Sequence, residues 1–169
     1  MDASPGTRVA LGWIAARTAM ANLLFRIFGG MHRGVYRLTG GKVGARIGKL
    51  PVLLLTTIGR KSGQPRTQPL AYTRVGDGYA VIASKGGAAH HPLWYLNLGA
   101  NPFAEVTVGR ETWNVRARDA QGEERERLWR ALADLYPGYD RYARKTSRRI
   151  PVVVLELASG DAPGRGDGG

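Results

Sequence analysis

The stretch PVLLLTTIGRKSGQPR, residues 51–66, decides the fold of this chain. Its first half, VLLLTTI, is an apolar and β-branched run that predicts a buried strand. Its second half, GRKSGQPR, contains two glycines and a proline and predicts a hairpin loop, which we call the corner (residues 59–66). Because Arg60, Lys61 and Arg66 are cationic and glycine leaves backbone N–H groups open to a ligand, the corner suits a phosphate or another anion. An ordinary solvated turn explains the same residues.

The composition of the chain bounds its class. A length of 169 residues predicts one domain with a single sizeable core. The absence of cysteine excludes disulfides, thiolate metal sites and thiol nucleophiles, and leaves the redox compartment open. The formal net charge of +12 predicts an anionic partner, which is a nucleic acid, an anionic membrane surface or a polyanionic small molecule. Residues 1–50 hold eight Lys or Arg against one acidic residue, so a charge of +7 precedes the strand.

Residues 7–36 carry apolar side chains at helical spacing, with arginines mainly on the opposite side. Charges interrupt each apolar run well before the ~20 residues that a transmembrane helix needs. The pattern predicts a basic amphipathic helix that lies on an anionic membrane or docks on its own domain, and both readings stay open. The glycine-rich segment TGGKVGARIGK, residues 39–49, then predicts a linker or a loop that closes over an anion.

Short β-branched runs separated by turn signals follow the corner. The sequence GDG at residues 76–78 predicts a hairpin turn. The helix predicted over residues 121–135 presents Leu128, Leu132 and Leu135 on one side. The predicted strands are residues 52–58, 67–75, 79–84, 103–108, 112–118 and 150–157, and the predicted helices are residues 92–100, 121–135 and 138–146.

This order of elements predicts an α+β protein that is mainly β. Three antiparallel strands in direct succession argue against a βαβ nucleotide fold. Six short strands with helices inserted between them predict a closed or nearly closed antiparallel barrel. We divide the chain into a basic N-terminal helix and glycine-rich loop (residues 1–49), a barrel domain (residues 50–157) and a polar tail (residues 158–169) whose composition predicts disorder.

Several kinds of chemistry lack their motifs. His90 and His91 are adjacent and point apart on a strand or helix, and without cysteine or spaced carboxylates no metal site is predicted. No G-x-S-x-G, G-x-G-x-x-G or Walker sequence occurs. Nucleic acid is not predicted as a partner, since aromatic residues are not interleaved with the basic loop. If the chain is an enzyme, a bound cofactor carries the difficult chemistry.

Three groups of residues remain as a candidate site. The first is the corner, and the second is the segment SKGG, residues 84–87, with HPLWY after it. The third is Tyr136, Tyr139 and Tyr142, whose spacing places the three rings along one flank of a helix. Each group also has a structural explanation: turn charges, a glycine-containing loop and an aromatic packing stripe.

Three blocks of sequence resemble the deazaflavin-dependent nitroreductase family. They are LLTTIGRKSGQPRTQPL (residues 54–70), ASKGGAAHHPLWYLNLGANP (residues 83–102) and LYPGYDRYARKTSRRIPVVVLEL (residues 135–157). The family consists of split β-barrel reductases, with an FMN-binding-like antiparallel fold, that use coenzyme F420. The resemblance therefore implies F420 as the cofactor and hydride transfer to a quinone, an activated enone or a nitroaromatic compound.

The resemblance also implies roles for individual residues. Tyr139 and Ser84 are the candidate catalytic residues, either hydrogen bonding to the acceptor or helping to deliver a proton. Tyr136, Tyr139 and Tyr142 would cover the substrate face of the ring, with Ala71 where some relatives carry a bulky aromatic residue. The implied cofactor-binding residues are Arg60, Lys61, Ser62, Arg66, Thr67, Gln68, Pro69, Leu70, Ile82, Ala83, Ser84, Lys85, Leu93, Trp94 and Tyr95.

Two other functions stay open on the sequence. The same barrel could bind FMN instead of F420, or the chain could be a non-catalytic basic module at a membrane surface. For the enzyme, we expect a small-molecule hydride acceptor as partner and a monomer or homodimer. The expected location is the cytoplasm, with peripheral association at the inner face of the cell membrane through the N-terminal helix.

Overall fold

The computed structural model describes residues 46–47 and 50–158. The predicted N-terminal helix, most of the glycine-rich segment and the tail after residue 158 lie outside the described residues. Seven strands and three α-helices occur in the described part of the chain. The strands are β1 (Arg46–Ile47), β2 (Leu50–Ile58), β3 (Pro65–Val75), β4 (Gly78–Ile82), β5 (Phe103–Val108), β6 (Glu111–Asp119) and β7 (Val152–Leu157), and the helices are α1 (Leu93–Ala100), α2 (Gly122–Leu135) and α3 (Gly138–Arg144).

The sheet closes into an antiparallel barrel, which confirms the predicted fold. Its strand order is β1-β2-β3-β4-β7-β6-β5, and β2 also pairs with β5. Closure rests on the length of β2, because Leu54 to Thr56 pair with β3 on one edge and with β5 on the other. The barrel strands thereby have no free edge over this stretch, which removes the usual site of edge-to-edge aggregation.

Strands β4 and β7 read as continuous apolar runs because both of their faces are buried. Tyr79 and Val81 point into the barrel core, whereas Ala80 and Ile82 belong to a second core on the outer wall. Helices α2 and α3 cover that wall, with Leu128 and Leu132 of α2 packed against it. The alternation follows from the two-residue period of a strand.

Several element boundaries differ from the sequence-based expectation. Arg46–Ile47 pairs with the start of β2 as a two-residue strand, too short for a hydrophobic pattern to reveal it. Pro65 and Arg66 belong to β3 instead of the turn, and Ser84 lies beyond the end of β4. Leu135, predicted on the same side of α2 as Leu128 and Leu132, is the last residue of the helix and is 42% exposed, whereas those two leucines are buried.

The pairing register brings several segments to one end of the barrel. Ile58 at the end of β2 lies opposite Pro65, and Ile82 at the end of β4 lies opposite Val152 at the start of β7. Strand β6 ends at the same level, since Asp119 is opposite the second residue of β7. We call this the corner end of the barrel; it carries residues 59–64, 83–92 and 145–151 together with α1. None of the helices in the described residues is long and apolar enough to cross a membrane.

Candidate functional site

The corner is a tight turn stabilised by its own backbone. Gly59 donates its N–H to the carbonyl oxygen of Gln64 at 2.9 Å, and Gly63 donates to the carbonyl oxygen of Gly59 at 2.8 Å. Gly63 has φ +65°, a value that glycine adopts without strain. The backbone bonds fix the turn, so its charged side chains are not needed to hold it together.

The cations of the corner extend into solvent. Arg60, Lys61 and Arg66 are exposed, and none of them takes part in the ion pairs formed within the described residues. Arg66 donates only a long hydrogen bond, 3.5 Å, to Oγ of Ser62. Three exposed cations that lack an ion-pair partner among residues 46–47 and 50–158 raise the local positive potential and attract an anion.

A residue that the sequence analysis missed ties the corner to α1. Asn97 is 5% exposed, and its Oδ1 accepts a hydrogen bond from the backbone N–H of Arg60 at 3.2 Å. Its Nδ2 donates to Oγ1 of Thr57, which is also buried, at 3.1 Å. Both halves of the amide are therefore used. No local pattern could have predicted this contact, because its partners lie 37 and 40 residues away.

Helix α1 crosses the corner end and connects the corner to the end of β6. Trp94 is buried in the barrel core, while Leu93 is 67% exposed. Tyr95 donates a hydrogen bond to Oδ2 of Asp119 at 2.8 Å; burial, followed by this bond, raises the pKa of the Tyr95 hydroxyl to about 12. Of the implied cofactor-binding residues on α1, only Leu93 and Tyr95 present surface to a ligand.

Residues 84–87 form a turn with unusual backbone angles. Lys85 has φ +47° and is the one non-glycine residue with positive φ in the described part of the chain. Gly86 and Gly87 follow with φ +65° and +81°. A Cβ at Gly87 would lie 2.7 Å from the carbonyl oxygen of Tyr142, so the turn packs directly on α3. The second and third predicted groups of residues are therefore neighbours.

Arg148 holds the segment that contains this turn, and the sequence analysis did not single it out. Its Nη2 donates to the carbonyl oxygens of Ser84 and Ala83 at 2.8 and 3.1 Å. Its Nε donates to the carbonyl oxygen of Ala88 at 2.8 Å, and its Nη1 lies 3.3 Å from Nδ1 of His91. Desolvation lowers the pKa of Arg148 from its ordinary value, but the guanidinium stays cationic.

The three tyrosines lie together but in different environments. Tyr139 is 7% exposed and packs in the second core beside Trp129. Burial, followed by the nearby hydroxyls of Tyr136 and Tyr142, raises its pKa, so the hydroxyl stays protonated. The hydroxyl oxygens of Tyr136 and Tyr142 are 3.0 Å apart and hydrogen bonded, and burial is the main reason that the pKa of Tyr142 is raised to about 12.

The remaining predicted site residues fall into two sets. Residues 67–71 of β3 are partly exposed, with Thr67 Oγ1 2.7 Å from Thr56 Oγ1 and Leu70 packed against the barrel core. Ile82 and Ala83 are 4% and 0% exposed, so their side chains support the site from within the core. Ser84 is also buried, with 9% exposure.

The antiparallel barrel and its basic corner match the split-barrel class of reductases that the sequence resembles. The sequence matches the family model described as F420H(2)-dependent quinone reductase over residues 30–157. An F420H(2)-dependent quinone reductase of Mycobacterium tuberculosis is 46% identical over 129 residues, which cover 74% of this chain and 87% of that protein. The chain therefore belongs to the F420H(2)-dependent quinone reductase family, and its cofactor is coenzyme F420.

Solved structures agree with this assignment. An F420-H2 dependent reductase is 44% identical, with a TM-score of 0.58, over 63% of this chain and 94% of that one. A protein described as a domain-swapped dimer is 36% identical, with a TM-score of 0.60, over 87% of this chain and 99% of that one. The predicted family, enzyme class and cofactor are thereby confirmed.

Proposed function

We propose that this protein transfers a hydride from F420H2 to a quinone, with the cofactor held at the corner end of the barrel. The acceptor class comes from the similarity to named quinone reductases. Activated enones and nitroaromatic compounds are further candidate acceptors for the same site. The single observation that carries the residue assignments is the exposed cation cluster of the corner, which forms no ion pair within the part of the chain that the structure describes.

The corner fits the anionic part of F420. The cofactor carries a phosphodiester and an oligoglutamate tail, and its negative charges need cationic donors that are not already neutralised. Lys61 and Arg66 would bind the tail, with Arg60 and Ser62 beside them. Residues 67–70 and the chain from Ile82 to Lys85 would border the ring. Leu93 and Tyr95 would contact the tail and the ring edge, with Trp94 buried behind them.

The bound deazaflavin supplies a hydride, because carbon in place of the flavin N5 favours hydride over single-electron transfer. The tyrosine side chains would hold the acceptor against the ring and exclude water from it. Tyr139 is protonated, and its hydroxyl makes no hydrogen bond to another described residue, so it can donate to an acceptor oxygen. Ser84 is the second candidate donor, and Ala71 leaves space where a larger side chain would narrow the acceptor site.

A fluorescence titration tests the cofactor assignment. We expect oxidised F420 to bind saturably, and Lys61→Ala and Arg66→Ala each to raise Kd about tenfold, the loss of roughly one charge-assisted hydrogen bond. Arg110→Ala is the matched control, because Arg110 is an exposed cation of the β5–β6 hairpin at the opposite end of the barrel.

Two outcomes would contradict the assignment. Equal affinity of the Lys61→Ala, Arg66→Ala and Arg110→Ala variants would remove the corner from the binding site. Saturable binding of FMN, with none of F420, would replace the proposed cofactor by FMN.

We further propose that the protein works in the cytoplasm at the inner face of the cell membrane, as a monomer or homodimer. The supporting feature is the basic amphipathic pattern of residues 7–36, which lies outside the described residues. A lipid-soluble quinone would be reached most directly from a membrane surface.

A further inference from the structure

Arg148 lies in the connection between α3 and β7 and reaches back about 60 residues along the chain. Its guanidinium donates to three backbone carbonyl oxygens, those of Ala83, Ser84 and Ala88, and lies 3.3 Å from Nδ1 of His91. We propose that Arg148 is a positioning residue for F420 binding: it holds residues 84–88 in the conformation that presents Ser84 and Lys85 to the cofactor. This inference rests on the proposed cofactor site.

The segment needs such a residue because its backbone is strained. A positive φ is unfavourable for a non-glycine residue, and Lys85 adopts one at +47°. Strained residues persist where the surroundings over-determine them, and they concentrate at functional sites. Within the turn itself, only the bonds from Gly87 N–H to the Ser84 oxygen and from Ala88 N–H to the Lys85 oxygen oppose the strain.

The barrel does not need Arg148 for its own closure. The ladder between β4 and β7 runs from Tyr79 to Ile82 and is extended by a bond from Ala83 N–H to the carbonyl oxygen of Pro151. The pairing of β4 with β7 is complete at that point. Arg148 acts beyond the end of the ladder, where the chain leaves the barrel and enters the strained turn.

The same contact links the two halves of the candidate site. Gly87 packs against Tyr142 of α3, and Arg148 follows α3 by four residues. Loss of the guanidinium would therefore free the turn on the side that faces the tyrosines. Lysine cannot replace it. The planar guanidinium of arginine carries donors on three nitrogens and so reaches three carbonyl oxygens on separate residues, whereas an ammonium group donates from a single nitrogen.

Three variants test the proposal: Arg148→Ala, Arg148→Lys and the matched control Arg149→Ala, which removes the same charge from an exposed neighbour. The first measurement is amide hydrogen exchange of the cofactor-free protein. We expect faster exchange at Gly87 and Ala88 in both Arg148 variants and unchanged exchange in β4 and β7. The second measurement is F420 titration, with an expected rise in Kd of about tenfold for both Arg148 variants and none for Arg149→Ala.

The two readouts separate this inference from the cofactor assignment. If the wild-type protein binds F420, Lys61→Ala weakens binding and the Arg148 variants bind like wild type, the positioning role is wrong and the site assignment stands. If the wild-type protein does not bind F420, the site assignment fails. Full recovery of affinity and of Gly87 protection in Arg148→Lys would also overturn the proposal, since it would show that charge alone suffices. If Arg148→Ala does not fold, Arg148→Lys carries both measurements.

Discussion

The hydroxyl of Tyr139 differs from its two neighbours in having no hydrogen-bond partner among the described residues. Tyr136 and Tyr142 satisfy each other, whereas the ring of Tyr139 is buried and its pKa is raised by burial. A protonated hydroxyl at the edge of an apolar site is suited to donate to the oxygen of a quinone as negative charge develops there. The ring contributes to packing, and under the proposed function the hydroxyl donates to the acceptor.

We therefore expect Tyr139→Phe to lower kcat about tenfold to a hundredfold, with F420 affinity and thermal stability close to wild type, because only the donor is removed. Steady-state kinetics with a quinone and a nitroaromatic acceptor measure the effect. Tyr136→Phe is the control, since it removes a hydroxyl of the same cluster that is already bonded to Tyr142. Unchanged turnover of Tyr139→Phe with both acceptors would end the proposed polar role.

At the scale of elements, the segment between β4 and α1 contains a histidine, His91, whose surroundings lower its pKa from the ordinary value. His91 stacks on Tyr95 with ring centroids 4.8 Å apart. Burial and then the charge of Arg148 lower the pKa of His91, and Asp119 opposes them. Other charged groups that line the adjoining cleft are Arg125 and Arg149.

The depressed pKa of His91 predicts a dependence of stability on pH. The unfolded chain binds more protons than the folded protein between the folded pKa and about 6.5, so stability is lost as pH falls through that window and is fully present above it. Thermal unfolding at pH 7.5 and 5.5 measures this, and His91→Asn should reduce the difference. His90→Asn, a change at an exposed neighbour, should retain it. Equal pH dependence in the two variants would assign the effect to other groups.

The elements that sequence could predict are those with their own periodic signal. Strands β2, β4 and β7 were predictable because each is a β-branched or apolar run, and α2 because its leucines recur at helical spacing. The turn at residues 84–87 was predictable as a loop but not in its conformation, since lysine is not a positive-φ signal. Leu135 follows the same helical spacing as Leu128 and Leu132 but is 42% exposed, because a helix end leaves its last turn open.

At the scale of the whole molecule, the chemistry of the site was more predictable than the contacts that hold it. The charges of Lys61 and Arg66 could be predicted from the sequence, because the charge of an exposed side chain does not depend on a contact partner. The structural roles of Asn97 and Arg148 depend on hydrogen-bond partners that lie 37 to 65 residues away in the sequence. Closure of the barrel brings these partners together. Closure through β2 and β5 is itself long-range and has no local signal.

The distribution of charge along the chain leads to a prediction for the whole molecule. Residues 1–36 contain four arginines and one aspartate, and the corner contributes a separate basic surface. If the N-terminal segment is the membrane contact, removal of residues 1–36 should release the protein from anionic vesicles because it removes the apolar face as well as the charge. The double variant Lys61→Ala, Arg66→Ala removes two positive charges, and the truncation removes a net charge of +3. The double variant is therefore a nearly charge-matched control.

Co-sedimentation with phosphatidylserine and phosphatidylcholine vesicles decides between these surfaces. We expect the full-length protein and the corner variant to sediment with phosphatidylserine vesicles and the truncated protein to remain in solution. Phosphatidylcholine vesicles should retain less of the full-length protein, since the attraction of arginine to anionic lipid is absent. If the truncated protein sediments with phosphatidylserine vesicles and the corner variant does not, the membrane contact is the corner. Lipid would then compete with the anionic tail of F420 for the same cations. The fluorescence titration repeated with phosphatidylserine vesicles would then show a raised Kd for F420, whereas binding through residues 1–36 leaves the corner accessible and Kd unchanged.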